Sequence, residues 1–302
     1  MVDPTIFSAG DYAVFVLSSF AYGALLFLMA SGFSLIFGLM KITNMTHVVF
    51  YMMAAYIGLW FIRGFWIFPP VPFVVAMILS GVVVTIIGLI VFRGFLFRLQ
   101  DKPQSQVLLC LGFMFFFDDI MLWIFGGTPM AIPVPEMFRG SIEILERFFP
   151  IYRMFLIVVG IVVAVILWAV IEKTKLGCLV RSGVDDEETT RAMGININKL
   201  FFLVFGAGTF LAAVGGVLGG PWLGMEPRMG FTLLPLVLAV VIIGGLGSLK
   251  GSFWGSMVVG LLNTFGNALL PEFAYFVLFL PMALVLVFKP NGLFVSGKAV
   301  DW

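Results

Sequence analysis

Long apolar runs are the feature that most constrains how this 302-residue chain can fold. An α-helix needs about 20 apolar residues to cross roughly 30 Å of hydrocarbon. Cutting the chain at charged residues and Pro-Gly clusters leaves nine candidate spans, at about 12–40, 48–62, 71–92, 104–125, 153–171, 200–220, 231–249, 253–270 and 273–288. The second is short and the seventh contains Pro235, so either could be broken or re-entrant. The runs predict an all-α, polytopic integral membrane protein with about 8–10 transmembrane helices in a single domain, residues 1–302.

The composition argues against soluble proteins and against most enzymes. Hydrophobic residues make up 62% of the chain and charged residues 11%, whereas soluble domains are about 25% charged. The net charge of +1 gives no basic field that would hold a nucleic acid. His47 is the single histidine, and Cys110 and Cys178 are the two cysteines, so a two-histidine metal site or a Ser-His-Asp set is not expected. We therefore expect a transport protein, not an enzyme, without a metal.

The basic residues predict the orientation of the spans, because cytoplasmic loops of membrane proteins collect Lys and Arg. The connections 93–103 and 172–199 hold eight of the 17 basic residues, and two spans separate them, so both connections lie on the same side. We expect this side to be the cytoplasm and the connection 126–152 to lie outside. In residues 142–149, apolar residues alternate with Glu143, Glu146 and Arg147, which suggests a short amphipathic helix at the membrane interface.

The connection 172–199 is long, and loops beyond about 15 residues are usually functional or disordered. Helices favour negative charge in the first turn and commonly end at glycine. The connection contains such a pattern, made of Asp185, Asp186, Glu187, Glu188, Thr189, Thr190, Arg191, Met193 and Gly194. The pattern predicts a short cytoplasmic helix, which needs a partner surface because a helix this short is unstable alone in water. The alternative is a solvated linker between two spans.

Four short motifs follow one another along the chain. The first consists of Gly38, Asn44 and His47, and the second of Asp186, Glu188, Met193, Gly194, Ile195 and Asn196. The third consists of Gly244, Gly245, Gly247, Ser248, Gly251 and Gly255, and the fourth of Lys289, Pro290, Gly292, Leu293 and Phe294. Together they resemble the permease subunits of ABC importers of the branched-chain amino acid type, in which the second motif is the coupling loop. The chain departs from that family's usual residues at Met45, Thr46, Val48, Thr189 and Thr190.

The resemblance implies a permease in the cytoplasmic (inner) membrane of a bacterium or archaeon. It implies four kinds of partner: a second related permease, forming a heterodimer, two cytoplasmic ATP-binding subunits, a solute-binding protein and the membrane lipid. Branched-chain amino acids are the implied substrates, while similar permeases carry amides, urea or aromatic acids. The segment from Gly247 to Ser252 has Lys250 before Gly251, the reverse of a phosphate-binding loop. We therefore expect no cofactor on this chain and ATP hydrolysis by the partner subunits.

Two adjacent carboxylates, Asp118 and Asp119, interrupt an otherwise uncharged span. Each costs about 2.5–3.5 kcal/mol at the centre of a membrane helix. Because neighbouring residues are about 100° apart on a helix, only one can point into a cavity. One hypothesis is that this carboxylate attracts a substrate ammonium or a proton, and the other is a hydrogen-bonded structural pair near the outer interface. Proton binding would suit the competing function, an ion-coupled secondary transporter.

Two further groups are candidates for the pathway and for helix packing. Asn44, Thr46 and His47 fall between two spans, where a broken helix offers hydrogen bonds to a polar ligand. The alternative for His47 is a packing role. Glycines at four-residue spacing, Gly215, Gly216, Gly219 and Gly220, predict close helix packing, either inside the subunit or across a dimer. The glycines of the third motif are candidates for packing or gating.

Overall fold

The computed structural model describes residues 7–40, 42, 44–64, 69–99 and 102–294. The ends of the predicted domain, 1–6 and 295–302, lie outside the described residues. The described residues form eleven α-helices: α1 (Ala9–Met40), α2 (His47–Arg63), α3 (Phe73–Gly94), α4 (Pro103–Phe125), α5 (Ile151–Lys173), α6 (Lys175–Asp185), α7 (Glu187–Ala192), α8 (Ile197–Leu223), α9 (Met229–Gly244), α10 (Leu249–Leu269) and α11 (Ala274–Phe288). Two strands, β1 (Ser141–Ile144) and β2 (Arg147–Pro150), form a hairpin.

Each of the nine predicted spans coincides with one helix, which confirms the polytopic helical fold. In the described part of the chain, six helical segments are long and apolar enough to cross a membrane by length and composition. The helices α2 and α9 are apolar but shorter, at 17 and 16 residues. These are the two spans whose sequences indicate a break.

The bundle is built around α1 and α8. Helix α1 packs against α5, α8 and α10, and α8 packs against α2 and α3. A Cβ atom on Gly32 would overlap the backbone of Gly208, so the two central helices touch backbone to backbone. The helices α5 and α11 are peripheral, and their many exposed apolar side chains suit contact with lipid tails.

The prediction of an amphipathic helix over 142–149 is wrong. The segment forms the β-hairpin, in which Ile142 pairs with Phe149 and Ile144 with Arg147. Leu145 and Glu146 take positive φ angles of 48° and 64°, as a two-residue hairpin turn requires. Apolar residues that alternate over so few positions fit a strand as well as a helix, and pairing satisfies the backbone groups that a short helix would leave open. We call the end of the bundle that carries this segment the hairpin end.

The opposite end carries the connections 93–103 and 172–199, and we call it the basic end. The long connection folds into α6 and α7. A short acidic helix is confirmed, but Asp185 is the last residue of α6 instead of part of the first turn of α7. The helix α6 packs against α5 and α1, so it attaches the connection to the bundle.

Candidate functional site

Helix α2 begins deep inside the bundle. The Nε2 atom of His47 lies 3.1 Å from the carbonyl oxygen of Met29, eleven residues before the end of α1. At 1.5 Å per residue, this point is about 16 Å from the basic end of α1. The hydroxyl of Thr46 donates to the carbonyl of Cys110 on α4 at 3.2 Å. Helix α2 therefore starts in the interior of the bundle, and we call it the half-length helix because its 17 residues are about half the 32 of α1.

The polar side chains at this break are completely buried. Asn44, Thr46 and His47 are each 0% exposed. The amide oxygen of Asn44 lies 3.8 Å from the thiol of Cys110, which donates to it. The Asn44 Nδ2 and the His47 Nδ1 have no hydrogen-bond partner among the described residues. Buried polar atoms in proteins are nearly always paired, so these two atoms are candidates for contact with a ligand.

Asp118 on α4 is the second group of buried polar atoms. Its side chain is 2% exposed, and neither carboxylate oxygen has a hydrogen-bond partner within the described ranges. A Cβ atom on Gly230 would lie 3.9 Å from Asp118 Oδ1 and 3.1 Å from a methyl of Val49. Gly230 belongs to the first turn of α9 and Val49 to the first turn of α2. The carboxylate therefore lies close to the positive end of one helix dipole and near a second.

Tyr56 and the loop before α9 complete the surroundings of Asp118. The buried hydroxyl of Tyr56 also has no partner among the described residues, and Asp118 and Glu226 both act on it electrostatically. Arg228 and Asp119 are the charged residues that act on Asp118. An ammonium group placed beside Asp118 would meet its carboxylate in a field to which Arg228 also contributes.

Asp119 lies on a different face of α4. It is exposed, together with Phe115, Phe116 and Trp123, the last being 86% exposed. The structure thus separates the two carboxylates, as their 100° spacing requires. It brings Asp118 next to Gly230 in the first turn of α9, about two helical turns along α4 from Cys110, which contacts Asn44 and Thr46, and it leaves Asp119 exposed.

The glycines of α8 lie against α2. A Cβ atom on Gly216 would overlap the carbonyl of Tyr51, and one on Gly219 would overlap the Tyr51 hydroxyl. Gly215 also contacts the Tyr51 ring, whereas Gly220 contacts Ile132. This face therefore holds the half-length helix inside the subunit. Tyr51, Tyr56, Cys110 and Gly230 did not emerge from the sequence; the one available signal was two tyrosines in an otherwise apolar run.

Three of the sequence motifs meet at the basic end. Gly244 and Gly251 touch across the turn between α9 and α10, and Gly255 packs on the carbonyl of Val240. Ser248 caps α10 by accepting a hydrogen bond from Gly251 N at 3.0 Å. The chain at Gly247 lies against Gly38, and Gly292 packs on Gly245. Leu293 N donates to Ile243 O at 2.9 Å, which fixes the fourth motif to the end of α9.

Helix α7 is capped at both ends and projects from the basic end. Asp186 accepts from Thr189 N at 3.0 Å, and Gly194, with φ of +83°, donates to Arg191 O at 3.0 Å. The side-chain and backbone hydrogen bonds from Thr189 hold the pKa of the Asp186 carboxyl below its ordinary value. Thr190 is buried, and its hydroxyl donates to Ser182 O at 2.9 Å.

The opposite face of α7 is exposed in the described part of the chain. Glu187, Glu188, Arg191 and Met193 are exposed, and the Arg191 guanidinium pairs with Glu187 at 2.7 Å. Below α7, Glu172 at the end of α5 pairs with Arg181 of α6 at 3.3 Å and with Lys250 of α10 at 3.7 Å. This network links the connection to the glycine-rich turn.

Comparison with known proteins identifies the family. A family model described as the permease component of branched-chain amino acid transport systems matches residues 15–286. The high-affinity branched-chain amino acid transport system permease protein LivH of Escherichia coli is 24% identical over 281 residues, covering 88% of this chain and 90% of LivH. BraD of Pseudomonas aeruginosa, described in the same words, is 27% identical over 279 residues with the same coverage. A solved structure, PsaBC from Streptococcus pneumoniae in complex with Fab, is 14% identical over 90% of both chains, with a TM-score of 0.46. This chain belongs to the family of branched-chain amino acid transport permease components, multi-pass proteins of the cytoplasmic membrane.

Proposed function

We propose that this chain is one of two permease subunits of an ABC importer that moves branched-chain or similar small amino acids into the cytoplasm. The observation that carries this proposal is α7, a doubly capped acidic helix that is held by the subunit on one face and exposed on the other. Membership of the permease family supports the same function. The cytoplasmic partners are two ATPase subunits, which bind and hydrolyse ATP, and this chain binds no cofactor.

The docking surface for an ATPase consists of α7 and the residue after it. A six-residue helix gains too little from its own hydrogen bonds to stand alone in water. The burial of Thr190 and the two caps stabilise α7 on the side that faces the subunit. On the outer side, Glu188 is exposed and Met193 is 66% exposed, so they offer a negative charge and an apolar surface to the ATPase. Movement of α7 passes to the bundle through the pairs of Glu172 with Arg181 and Lys250.

The substrate site in this proposal lies around the first turn of α2. The Asp118 carboxylate and the Tyr56 hydroxyl bind the substrate ammonium, because both are buried and have no partner in the described structure. Asn44 Nδ2 and His47 Nδ1 lie near Cys110, about eight residues before Asp118 on α4, so they serve as separate polar contacts along the pathway. Val49 supplies apolar contact for the substrate side chain. Alternating access opens this closed site to one side of the membrane and then to the other.

The exposed Asp119 supports a second permease subunit. A carboxylate facing lipid within a span costs several kcal/mol, so this face of α4 is better placed against protein or a water-filled pathway. Two identical chains meeting through it would bring two Asp119 carboxylates together, which disfavours a symmetric pair. We therefore propose a related but different chain as the partner. A solute-binding protein delivers substrate at the hairpin end.

The test is affinity purification from native membranes, with identification of the bound subunits, followed by uptake in proteoliposomes. We expect two ATPases, a second permease and leucine uptake that requires ATP and the binding protein. Glu188→Lys should abolish co-purification of the ATPases, whereas Glu143→Lys, an exposed acid at the hairpin end, should not. Leucine uptake driven by an ion gradient without ATP would refute the proposal and favour a secondary transporter.

A further inference from the structure

An open cavity of about 430 Å³, with a mostly apolar lining and a few polar side chains, lies at the hairpin end between α1, α5, α8 and α10. This volume is in the range of small-molecule sites, about 300–1,000 Å³. Its polar lining residues are Ser18, Tyr22, Arg153, Asn263, Thr264 and Asn267. Arg153 is the single charged residue among the described residues that line it, so the cavity carries one positive charge.

Arg153 is a half-buried cation without a carboxylate partner in the described part of the chain. It donates to the Ser18 hydroxyl at 3.0 Å, and its guanidinium lies over the Trp222 ring, 4.6 Å from the centroid. These two contacts fix its position but use one of its five N–H donors for a hydrogen bond. A planar guanidinium held in this way matches the two oxygens of a carboxylate.

The amides of α10 add neutral hydrogen-bonding groups opposite Arg153. The Asn267 amide nitrogen donates to the carbonyl of Asn263 at 2.7 Å, so this pair is ordered. Phe15 of α1 gives the cavity an apolar wall. The combination of one cation, neutral polar groups and an apolar wall fits a small amphipathic anion.

A second cavity, of about 270 Å³, adjoins the first, and the two share Tyr22 and Leu223 as lining residues. The second contains Glu226 and reaches Met229, the first residue of α9. The next residue, Gly230, lies beside Asp118. From the hairpin end inward, Arg153 is therefore followed by the acids Glu226 and Asp118, with Arg228 close enough to Asp118 to act on it electrostatically.

We propose that the Arg153 cavity is an outward-facing site that binds the α-carboxylate of the amino acid before its ammonium group reaches Glu226 and Asp118. The proposal rests on the proposed function in naming an amino acid as the ligand. The chemistry that it assigns to the cavity is recognition of a small carboxylate, which can be measured without transport.

Trp222 provides the assay, because a ligand that engages the guanidinium above its ring changes its fluorescence. The purified full-length protein is titrated with leucine, with 4-methylpentanoate, which lacks the ammonium, and with 3-methylbutylamine, which lacks the carboxylate. The signal that disappears in Trp222→Phe belongs to this cavity. We expect saturable signals from leucine and 4-methylpentanoate and none from the amine.

Arg153→Gln should weaken binding of 4-methylpentanoate at least tenfold, and Arg153→Lys should weaken it less, since it keeps the charge but loses the planar fork. The Lys variant also serves if the Gln variant does not fold. Arg139→Gln is the matched control, because Arg139 is an exposed arginine at the same end that is paired with Glu136. Its binding should equal that of the native protein.

Equal signals from the amine and the carboxylate, or native affinity in Arg153→Gln, would overturn the proposal. A Trp222 signal from vesicles of phosphatidylglycerol but not from either carboxylate would also overturn it, by assigning the cavity to a lipid phosphate. Asp118→Asn should leave 4-methylpentanoate binding intact. If ATP-dependent uptake is not found but 4-methylpentanoate still binds, the proposed function fails and the carboxylate site stands.

Discussion

Neutralising Asp118 should impair transport without destabilising the subunit. In Asp118→Asn the side chain keeps its shape and loses its charge. Because neither carboxylate oxygen has a hydrogen-bond partner in the described structure, the substitution removes no bond within the subunit. It removes a buried charge that costs free energy, and it also removes the attraction of that charge to Arg228 and to the first turn of α9, so the two effects oppose each other. The unfolding temperature in detergent should therefore change little.

Asp118→Asn should weaken substrate binding, because the substrate ammonium loses its hydrogen bond to a charged carboxylate. A hydrogen bond to a charged group contributes about 1.5–3 kcal/mol. At about 1.4 kcal/mol per factor of ten, the loss corresponds to a roughly 10- to 140-fold weaker binding of the ammonium group. We expect the KM for leucine uptake in reconstituted proteoliposomes to increase by such a factor.

The matched control is Asp119→Asn, one position along α4 and exposed. Its KM should change much less, because its carboxylate faces away from the first turn of α2. Lower thermal stability of Asp118→Asn together with lower uptake would show that the carboxylate is structural. Equal, negligible effects of both substitutions would refute a substrate role for either residue.

Three further predictions concern packing and coupling. Gly216→Ala should destabilise the subunit by about 1–3 kcal/mol in chemical unfolding, because the new Cβ overlaps the α2 backbone. The control Gly206→Ala should have little effect, because its Cβ would be 3.6 Å from its nearest neighbours. Gly194→Ala, at a φ of +83°, should destabilise the end of α7 by about 1–2 kcal/mol. It should reduce co-purification of the ATPases while membrane insertion persists, and full-yield co-purification would contradict this role. In the folded protein the pKa of Asp186 is below its ordinary value of about 4. The ionised side chain therefore caps α7 fully above about pH 4, and this capping is lost as the pH falls through the pKa of the folded state. Hydrogen exchange of α7, corrected for the intrinsic exchange rate, should therefore be constant between pH 8 and pH 5, and a change near pH 6 would be inconsistent with the cap.

The number and positions of the helices could be predicted because each depends on one local property. A membrane-spanning segment must be apolar over its whole length and must satisfy its backbone within itself. The runs from 71 to 92 and from 153 to 171 therefore give α3 and α5 almost residue by residue. The acidic helix α7 was predictable for a similar reason, since Asp186 and Gly194 signal its two ends locally.

The hairpin was not predictable from the same local pattern. Over residues 141–150, the apolar positions fit a period of two and a period near 3.6 about equally well. What selects the strands is tertiary: Phe149 is buried, the Leu145 carbonyl packs against Gly10, and Arg147 pairs with Asp11 at 2.9 Å. The contacts of Leu145 with Gly10 and of Arg147 with Asp11 join residues that are far apart in the sequence, and a local pattern does not reveal the burial of Phe149.

The candidate site illustrates the same limit more strongly. The sequence singles out Asp118 by its cost in a membrane and Asn44 and His47 by their motif, but it gives no distance between them. The interior position of Asn44 and His47 depends on α2 starting about 16 Å inside α1, which the Met29 carbonyl and the α8 glycines stabilise. A full-length second helix would carry its first turn to the basic end and away from Asp118. The half-length helix places the polar residues at its start inside the bundle, and transport in our proposal depends on that placement more than on any single residue.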